Sequence, residues 1–390
     1  MHQGDRSTPG YSDLTREYFR KIPDKIQSAL LTSVNQDELH DLVLVFRGRD
    51  GKNRVLLFIN TDEGKFSFKR NSGLSRGLNM EVRSIAAGDV NGDHASDLLL
   101  LGTSGSRDVA RFLFSNKKGY FYHTGVAPLP RLRDGAERVD FADLDGDGDL
   151  DLLFTGRNLV DGEGRPAPSQ AQIMINNGRG LFSDLSHLLL PPMKPGVTGT
   201  SIADYDGDEI VDIFLVYEQG RNVLLINNGL GEFIDASSSS LPGILADHVH
   251  ADWADFDLDG DNDLLVVTRH IDEELRDAPN QFSYFLENDG QGHFVKRSLN
   301  LLPQSPSYRV YLLDADQNEI PDIIILSQEG VHFLTGEGDW QFAEESLRRF
   351  PDSVSFKELV FGHVNKDDYL DIFGITSKEG KGRLWIADFD

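Results

Sequence analysis

One nine-residue frame recurs along this chain, and it constrains how everything else can fold. Asp143-Leu144-Asp145-Gly146-Asp147-Gly148-Asp149-Leu150-Asp151 puts an acid at every second position. The frame returns as Asp204, Asp206, Asp208, Asp212 and as Asp255, Asp257, Asp259, Asp261, Asp263. Two further copies read Asp89, Asn91, Asp93, Asp97 and Asp314, Asp316, Asn318, Asp322. Two weaker ones read Ser33, Asn35, Asp37, Asp41 and His363, Asn365, Asp367, Asp371. Successive copies start about 55 residues apart, so seven units account for nearly all 390 residues. No room remains for a second domain, and residues 1–390 read as one repeat array.

The flanks of each loop say what each unit is. A short apolar alternation precedes it, as in Val139-Asp140-Phe141-Ala142. An apolar run follows it, as in Ile213-Phe214-Leu215-Val216. A third run then enters a turn such as Asn176-Asn177-Gly178-Arg179-Gly180-Leu181-Phe182. Short β-branched and aromatic runs bounded by turns are strands, and Asn-Gly supplies the positive φ of a tight hairpin. Each unit is a four-stranded antiparallel sheet. Such a sheet cannot bury both faces alone, whereas radial stacking buries them. The expected fold is all-β, a seven-bladed β-propeller.

The last unit runs out of chain after Arg383-Leu384-Trp385-Ile386, its third strand. Tyr11-Ser12-Asp13-Leu14 matches Phe182-Ser183-Asp184-Leu185, which stands in fourth-strand position. Residues 11–22 are therefore expected to form the outer strand of the last blade and close the ring. Closure removes an open sheet edge.

Charge and composition narrow the function. Lys and Arg total 38 against 64 Asp and Glu, a formal charge of −26. Such a surface repels nucleic acid and anionic lipid. No stretch of 18 apolar residues is present, so no membrane insertion is expected. The absence of Cys excludes disulfides, thiolate metal sites and cysteine nucleophiles. No basic, then apolar, leader opens the chain. No P-loop, dinucleotide fingerprint, nucleophile elbow or HExxH occurs.

Oxygen donors at alternate positions suit a hard cation taking six to eight oxygens, Ca²⁺ more than Mg²⁺. Crowded carboxylates repel one another, so a cation contributes to folding. An EF-hand is excluded, because its twelfth position holds Phe154, Leu215 and Val266. The competing reading is metal-free Asx-turns. It is favoured for 33–41 and 363–371, where Ser33 and His363 remove the first carboxylate. Three to five ions are expected in the others.

The Asp-x-Asp-x-Asp-x-x-x-Asp frame, followed by a strand and Asn-Asn-Gly-x-Gly-x-Phe, resembles the FG-GAP/VCBS repeats of integrin α-subunit-like propellers. The resemblance covers essentially the whole chain. It implies seven blades with Ca²⁺ between the first and second strands of a blade. It further implies ligands at loop positions 1, 3, 5 and 9, with the carbonyl at 7. These are Asp143, Asp145, Asp147 and Asp151 with the Asp149 carbonyl, and their equivalents in the other loops.

Function is expected where the repeats differ. Two links between second and third strands are long, at 156–168 and 269–279, and carry Arg157 and Arg269. They project from the face opposite the acid loops, where the family engages ligands. Five positions before their loops stand Arg138, His250 and Arg309, expected to ring the channel mouth and to suit a carboxylate or acidic glycan. The bland alternative pairs them with neighbouring acids. His248, His250 and Asp252 are expected on one strand face, a weak transition-metal signal. The reading is a non-enzymatic, calcium-binding adhesion or interaction module for a protein or glycan. It is expected as a monomeric part of a larger chain that works outside the cytoplasm, in the periplasm or at the cell surface. The rivals are a lectin, a hydrolase or lyase using the channel mouth, and a passive structural module.

Overall fold

The computed structural model describes residues 10–35, 37, 39–61, 65–74, 79–122, 129–156, 159–160, 166–167, 171–194, 196–218, 220–271, 282–350 and 354–388. They form seven four-stranded sheets and one two-stranded hairpin. Blade 1 comprises Ile26–Thr32, Asp41–Arg47, Asn53–Asn60 and Phe66–Phe68. Blades 2 to 6 repeat this order, with innermost strands Glu81–Gly88, Ala136–Ala142, Val197–Ala203, Ala246–Ala254 and Ser307–Leu313. Blade 7 starts at Phe356–Gly362. The hairpin, Leu159–Val160 with Pro166–Ala167, lies in the long link of blade 3. Among the described residues no helix is long and apolar enough to cross a membrane.

Seven apolar clusters fill the seven gaps between blades. Phe214, Leu224, Trp253, Leu264 and Phe294 pack blade 4 on blade 5. Leu44, Phe58, Phe373 and Leu384 pack blade 7 on blade 1 and so close the circle. The second strands, buried on both faces, read as unbroken apolar runs such as Leu98–Leu101.

The N-terminus completes blade 7. Gly10–Asp13 pairs antiparallel with Gly382–Asp388, Tyr11 opposite Ala387. The Tyr11 ring stacks on Phe350 of blade 6 at 5.9 Å. The strand is shorter than the expected 11–22. Asp13 Oδ1 accepts the Thr15 N–H at 3.1 Å, and a helical turn, Thr15–Tyr18, follows. The Thr15 hydroxyl then accepts the Leu384 N–H at 2.8 Å, replacing the next rung of the ladder. Ser186 and Ser237 do the same in blades 3 and 4, for Ile173 and Leu224. An acid followed two residues later by Ser or Thr is thus the strand stop.

Candidate metal centres and axial channel

Each acid loop joins the first strand of a blade to the second, and its carboxylates divide by role. Position 1 ties the turn. Asp143 Oδ1 accepts the N–H of Gly146 at 2.8 Å, and Oδ2 that of Gly148 at 2.9 Å. Asp204 and Asp255 repeat this pattern, and Asp314 accepts from Asn318 and from Glu319 at position 6. It bends positions 4 and 6 into the left-handed region, where Gly146 and Gly148 stand in blade 3. Leu258, Gln317, Glu209 and Glu319 hold the same positive φ without being glycine.

Position 9 is buried in all seven loops. Asp151 Oδ2 accepts the Leu144 N–H at 2.9 Å and Oδ1 the Asn176 N–H at 2.7 Å. Asp41 and Asp371 make the same two bonds in the weak loops. This tie needs no metal, which is why those loops keep the acid.

Position 3 carries the metal signal. Asp257 Oδ1 and Asp316 Oδ1 are buried with no hydrogen-bond partner, as is Asp261 Oδ1 at position 7. Burial, then neighbouring acids, push the carboxyls of Asp145 and Asp206 upward. Burial likewise lifts Asp151, Asp212, Asp263 and Asp322 to about 7. In blades 3 to 6 one oxygen from each of three acids lies within 4.8 Å of the others. The groups are Asp143, Asp145, Asp151; Asp204, Asp206, Asp212; Asp255, Asp257, Asp259; and Asp314, Asp316, Asp322. Convergent, crowded oxygens with unmet buried lone pairs fit a hard cation.

Asp147, Asp149, Asp208, Asp261, Asp263 and Asn318 stand in these loops but outside the groups of three. Asp147, Asp208 and Asn318 each accept a backbone N–H two residues on. The remaining loops bring amide or ammonium donors to the same oxygens. Asn35 Nδ2 donates to Asp37 at 2.7 Å, and Asn365 Nδ2 to Asp367 at 2.5 Å. In loop 89–97, Asn91 Nδ2 donates to Asp97 at 2.9 Å, and the Lys117 ammonium to the Asp93 carbonyl. Asp89 binds the backbone of Asp93 and His94. Among the described residues the three acids of this loop, Asp89, Asp93 and Asp97, form no group of three within 4.8 Å, while Asn91 stands beside Asp97.

The Asn opening each Asn-x-Gly turn has a role the repeat pattern did not disclose. Asn227 Nδ2 donates to Leu144 O of the preceding blade at 2.9 Å and to Val211 O of its own loop at 3.2 Å. Asn60, Asn176 and Asn288 bridge in the same way. The recurrence of Asn176, Asn227 and Asn288 two residues before a turn glycine was the available signal, and Asn60 lacks a glycine at that distance.

Arg138, His250 and Arg309 occupy equivalent places on innermost strands and border the axial channel. Each follows a register shift in its strand. That shift corrects the expected grouping of His248, His250 and Asp252. His248 pairs with Thr268 and His250 with Val267, so the two imidazoles take opposite faces. His248 Nε2 meets the Tyr284 hydroxyl at 2.9 Å inside the blade. Arg269 is half exposed and pairs with Glu218 at 3.4 Å and Asp247 at 3.5 Å. Arg157 lies outside the described residues.

The face opposite the acid loops carries clefts between blades. One of about 500 Å³ has Lys52, Asn53, Glu81 and Ser104 in its walls. Another of about 490 Å³ has Tyr217, Arg221, Asn222 and Asp235.

The FG-GAP-like repeat family matches residues 34–100, 95–154 and 204–266. No curated protein matches the sequence. Among solved structures, one similar fold is an Agrocybe aegerita lectin described by its specific recognition of non-reducing terminal N-acetylglucosamine. The two share 18% identity with a TM-score of 0.54, over 81% of this chain and 78% of that one. An identity that low speaks to fold alone. Repeat match, blade count and acid loops agree: the chain is a seven-bladed β-propeller, and FG-GAP-like repeats are matched in it over 34–154 and 204–266.

Proposed function

We propose that this propeller is a calcium-stabilised, non-enzymatic binding module whose partner, a glycan or a protein, docks on the face opposite the acid loops. The observation that carries the calcium reading is the convergence of three carboxylates within 4.8 Å in four consecutive blades. Asp143, Asp145 and Asp151 would hold one ion, and the matching trios of blades 4, 5 and 6 the others. A bound ion neutralises carboxylates that otherwise repel. Outside the cytoplasm free calcium is high enough to fill modest-affinity sites, and the module is assigned there.

The blade geometry supports this choice of partner face. Acid loops occupy one end of every blade, and the links between second and third strands occupy the other. Clefts walled by hydrogen-bonding side chains beside Tyr217 suit a sugar. The lectin of similar fold favours the same ligand class. Calorimetric titration of calcium into chelator-treated protein tests the first half. Saturable binding to about four sites, weakened in Asp145→Asn and Asp206→Asn, is expected. A glycan array probed in calcium tests the second half. Signal lost in Arg221→Ala supports the sugar reading, and an empty array redirects the search to proteins.

A further inference from the structure

Three links meet at the seam of blades 7 and 1, on the end of the propeller opposite the acid loops. Residues 20–25 enter blade 1, and residues 47–54 round the turn between its second and third strands. Residues 378–381 make the same turn in blade 7. Backbone bonds hold the three side by side. The Arg47 N–H donates to Lys25 O at 3.0 Å, and the Ile26 N–H to Gly380 O at 2.8 Å. The Gly48 N–H donates to Lys52 O at 2.8 Å and keeps the turn of blade 1 tight.

These links invert the charge of the chain. They hold nine lysines and arginines against three acids, where the whole sequence has 38 against 64. All nine are exposed. Of the three acids, Asp50 pairs with Arg54 at 2.9 Å and Glu379 with Lys381. Asp13, next to the patch, is taken by Arg383 at 2.6 Å. Arg20, Lys21, Lys25, Arg47, Arg49 and Lys52 make no ion pair among the described residues. Asp24 is therefore the one acid of the three links without an ion pair among the described residues. Lys25 stands at φ 61°, in the left-handed region that a glycine fills without strain. The chain keeps a cation there at an energetic cost.

A cleft adjoins the patch. The one of about 500 Å³ between blades 1 and 2 shares Lys52 with it and offers Asn53, Thr103 and Ser104 as small polar walls, with Glu81. Among the described residues, none of the exposed large apolar side chains lies in the three links or in these walls. A protein partner would need such anchors. Hydroxyl groups of a sugar need donors and acceptors of this small polar kind instead. A nucleic-acid duplex, with a charge about every 1.7 Å, meets the repulsion of a protein of net charge −26 far more strongly than a glycan with one anion per sugar or two.

We propose that the blade 7–blade 1 seam binds an acidic glycan, whose carboxylates or sulfates meet the Lys25, Arg47 and Lys52 side and one of whose sugars enters the cleft beside Lys52. This rests on the reading of the face opposite the acid loops as the docking face, and it narrows the partner to an anionic sugar chain. Exposed cations act over a Debye length of about 8 Å at physiological salt. Affinity therefore falls as salt rises, unlike that for a neutral sugar held by hydrogen bonds alone.

The test uses the full chain in calcium. A hyaluronan hexasaccharide, a chondroitin sulfate hexasaccharide and a neutral N-acetylglucosamine hexamer are titrated calorimetrically at about 50 and about 200 mM salt. Saturable binding of either acidic oligomer, weaker at the higher salt and much tighter than that of the neutral one, supports the site. Tighter chondroitin sulfate identifies sulfate as the preferred anion, and equal binding identifies the carboxylate. Arg47→Gln with Lys52→Gln is expected to weaken binding about tenfold. Lys118→Gln with Arg179→Gln removes the same charge from exposed turns at the acid-loop end and should leave binding unchanged. Both double variants alter exposed side chains and should keep the parent melting temperature. Lys25→Gly relaxes its turn and should weaken binding without loss of stability. Equal losses in the two double variants overturn the proposal, as does the absence of binding to both acidic oligomers. Equal affinity for the neutral hexamer overturns it and leaves the docking face standing. Acidic-oligomer binding lost in Arg221→Ala but kept in Arg47→Gln with Lys52→Gln does the same, because the sugar then sits in the cleft beside Tyr217.

Discussion

The side-chain amide of Asn227 in blade 4 donates to the backbone carbonyl of Leu144 in blade 3 at 2.9 Å. Leu144 follows the first acid of its loop, so the bond fastens one acid loop to the next blade. Four blades carry such an Asn, and Ser115 reaches Val34 O in a fifth at 3.3 Å. Asn227→Ala leaves two buried carbonyls short of a donor and should cost about 1–3 kcal/mol. Leu230→Ala, at the exposed tip of the turn beside it, should cost within about 0.5 kcal/mol. Denaturant unfolding of the two variants measures the contrast.

Positions 3 and 9 of a loop should respond in opposite ways to neutralisation. Asp151 is buried and holds two backbone N–H groups, so Asp151→Asn should destabilise the protein with or without calcium, by about 1–3 kcal/mol. Asp145 is crowded by Asp143 and Asp147. Asp145→Asn should raise the melting temperature in chelator and shrink the gain on adding calcium. Asp151 also stands in the blade 3 trio, so both variants should lose part of the gain on adding calcium, and only Asp151→Asn should melt lower in chelator; melting curves of both variants in both conditions check this.

Ring closure rests on a few residues at the N-terminus. Tyr11 stacks on Phe350, and the Asp13 carboxylate pairs with Arg383 at 2.6 Å. Deleting residues 1–13 exposes the edge of Gly382–Asp388. The melting temperature should fall sharply, with aggregation through the freed edge. An unchanged midpoint would show that the ring holds without this strand.

His248 is buried against Tyr284, and burial lowers its pKa from 6.5 to about 4. Between those values the unfolded chain takes up a proton that the folded chain refuses. This group therefore withdraws stability as pH falls from 6.5 towards 4. His248→Gln removes that contribution and leaves other titrating groups common to both proteins. The loss of melting temperature between about pH 7 and about pH 5 should be smaller in the variant.

Blade number, strand order and ring closure were legible because the acid frame marks each first-to-second-strand turn. The seven position-9 acids were legible as residues, yet not as hydrogen-bond hubs. Their partners lie on another strand, and sequence spacing does not show who donates to whom. Loop 89–97 read as one of the five better loops, with three acids and Asn91. Asn91 donates to Asp97 there, and Lys117, 20 residues beyond the loop, donates to the Asp93 carbonyl, contacts that spacing does not show. His248 and His250 misled because one extra residue in the strand swaps faces, and no residue type announces a bulge.

Calcium dependence is the central claim, and a melting curve with and without chelator tests it most directly. With excess calcium the four acid clusters are neutralised, and the midpoint should rise well above that in EGTA. A midpoint that does not move between the two conditions would contradict calcium binding at these loops.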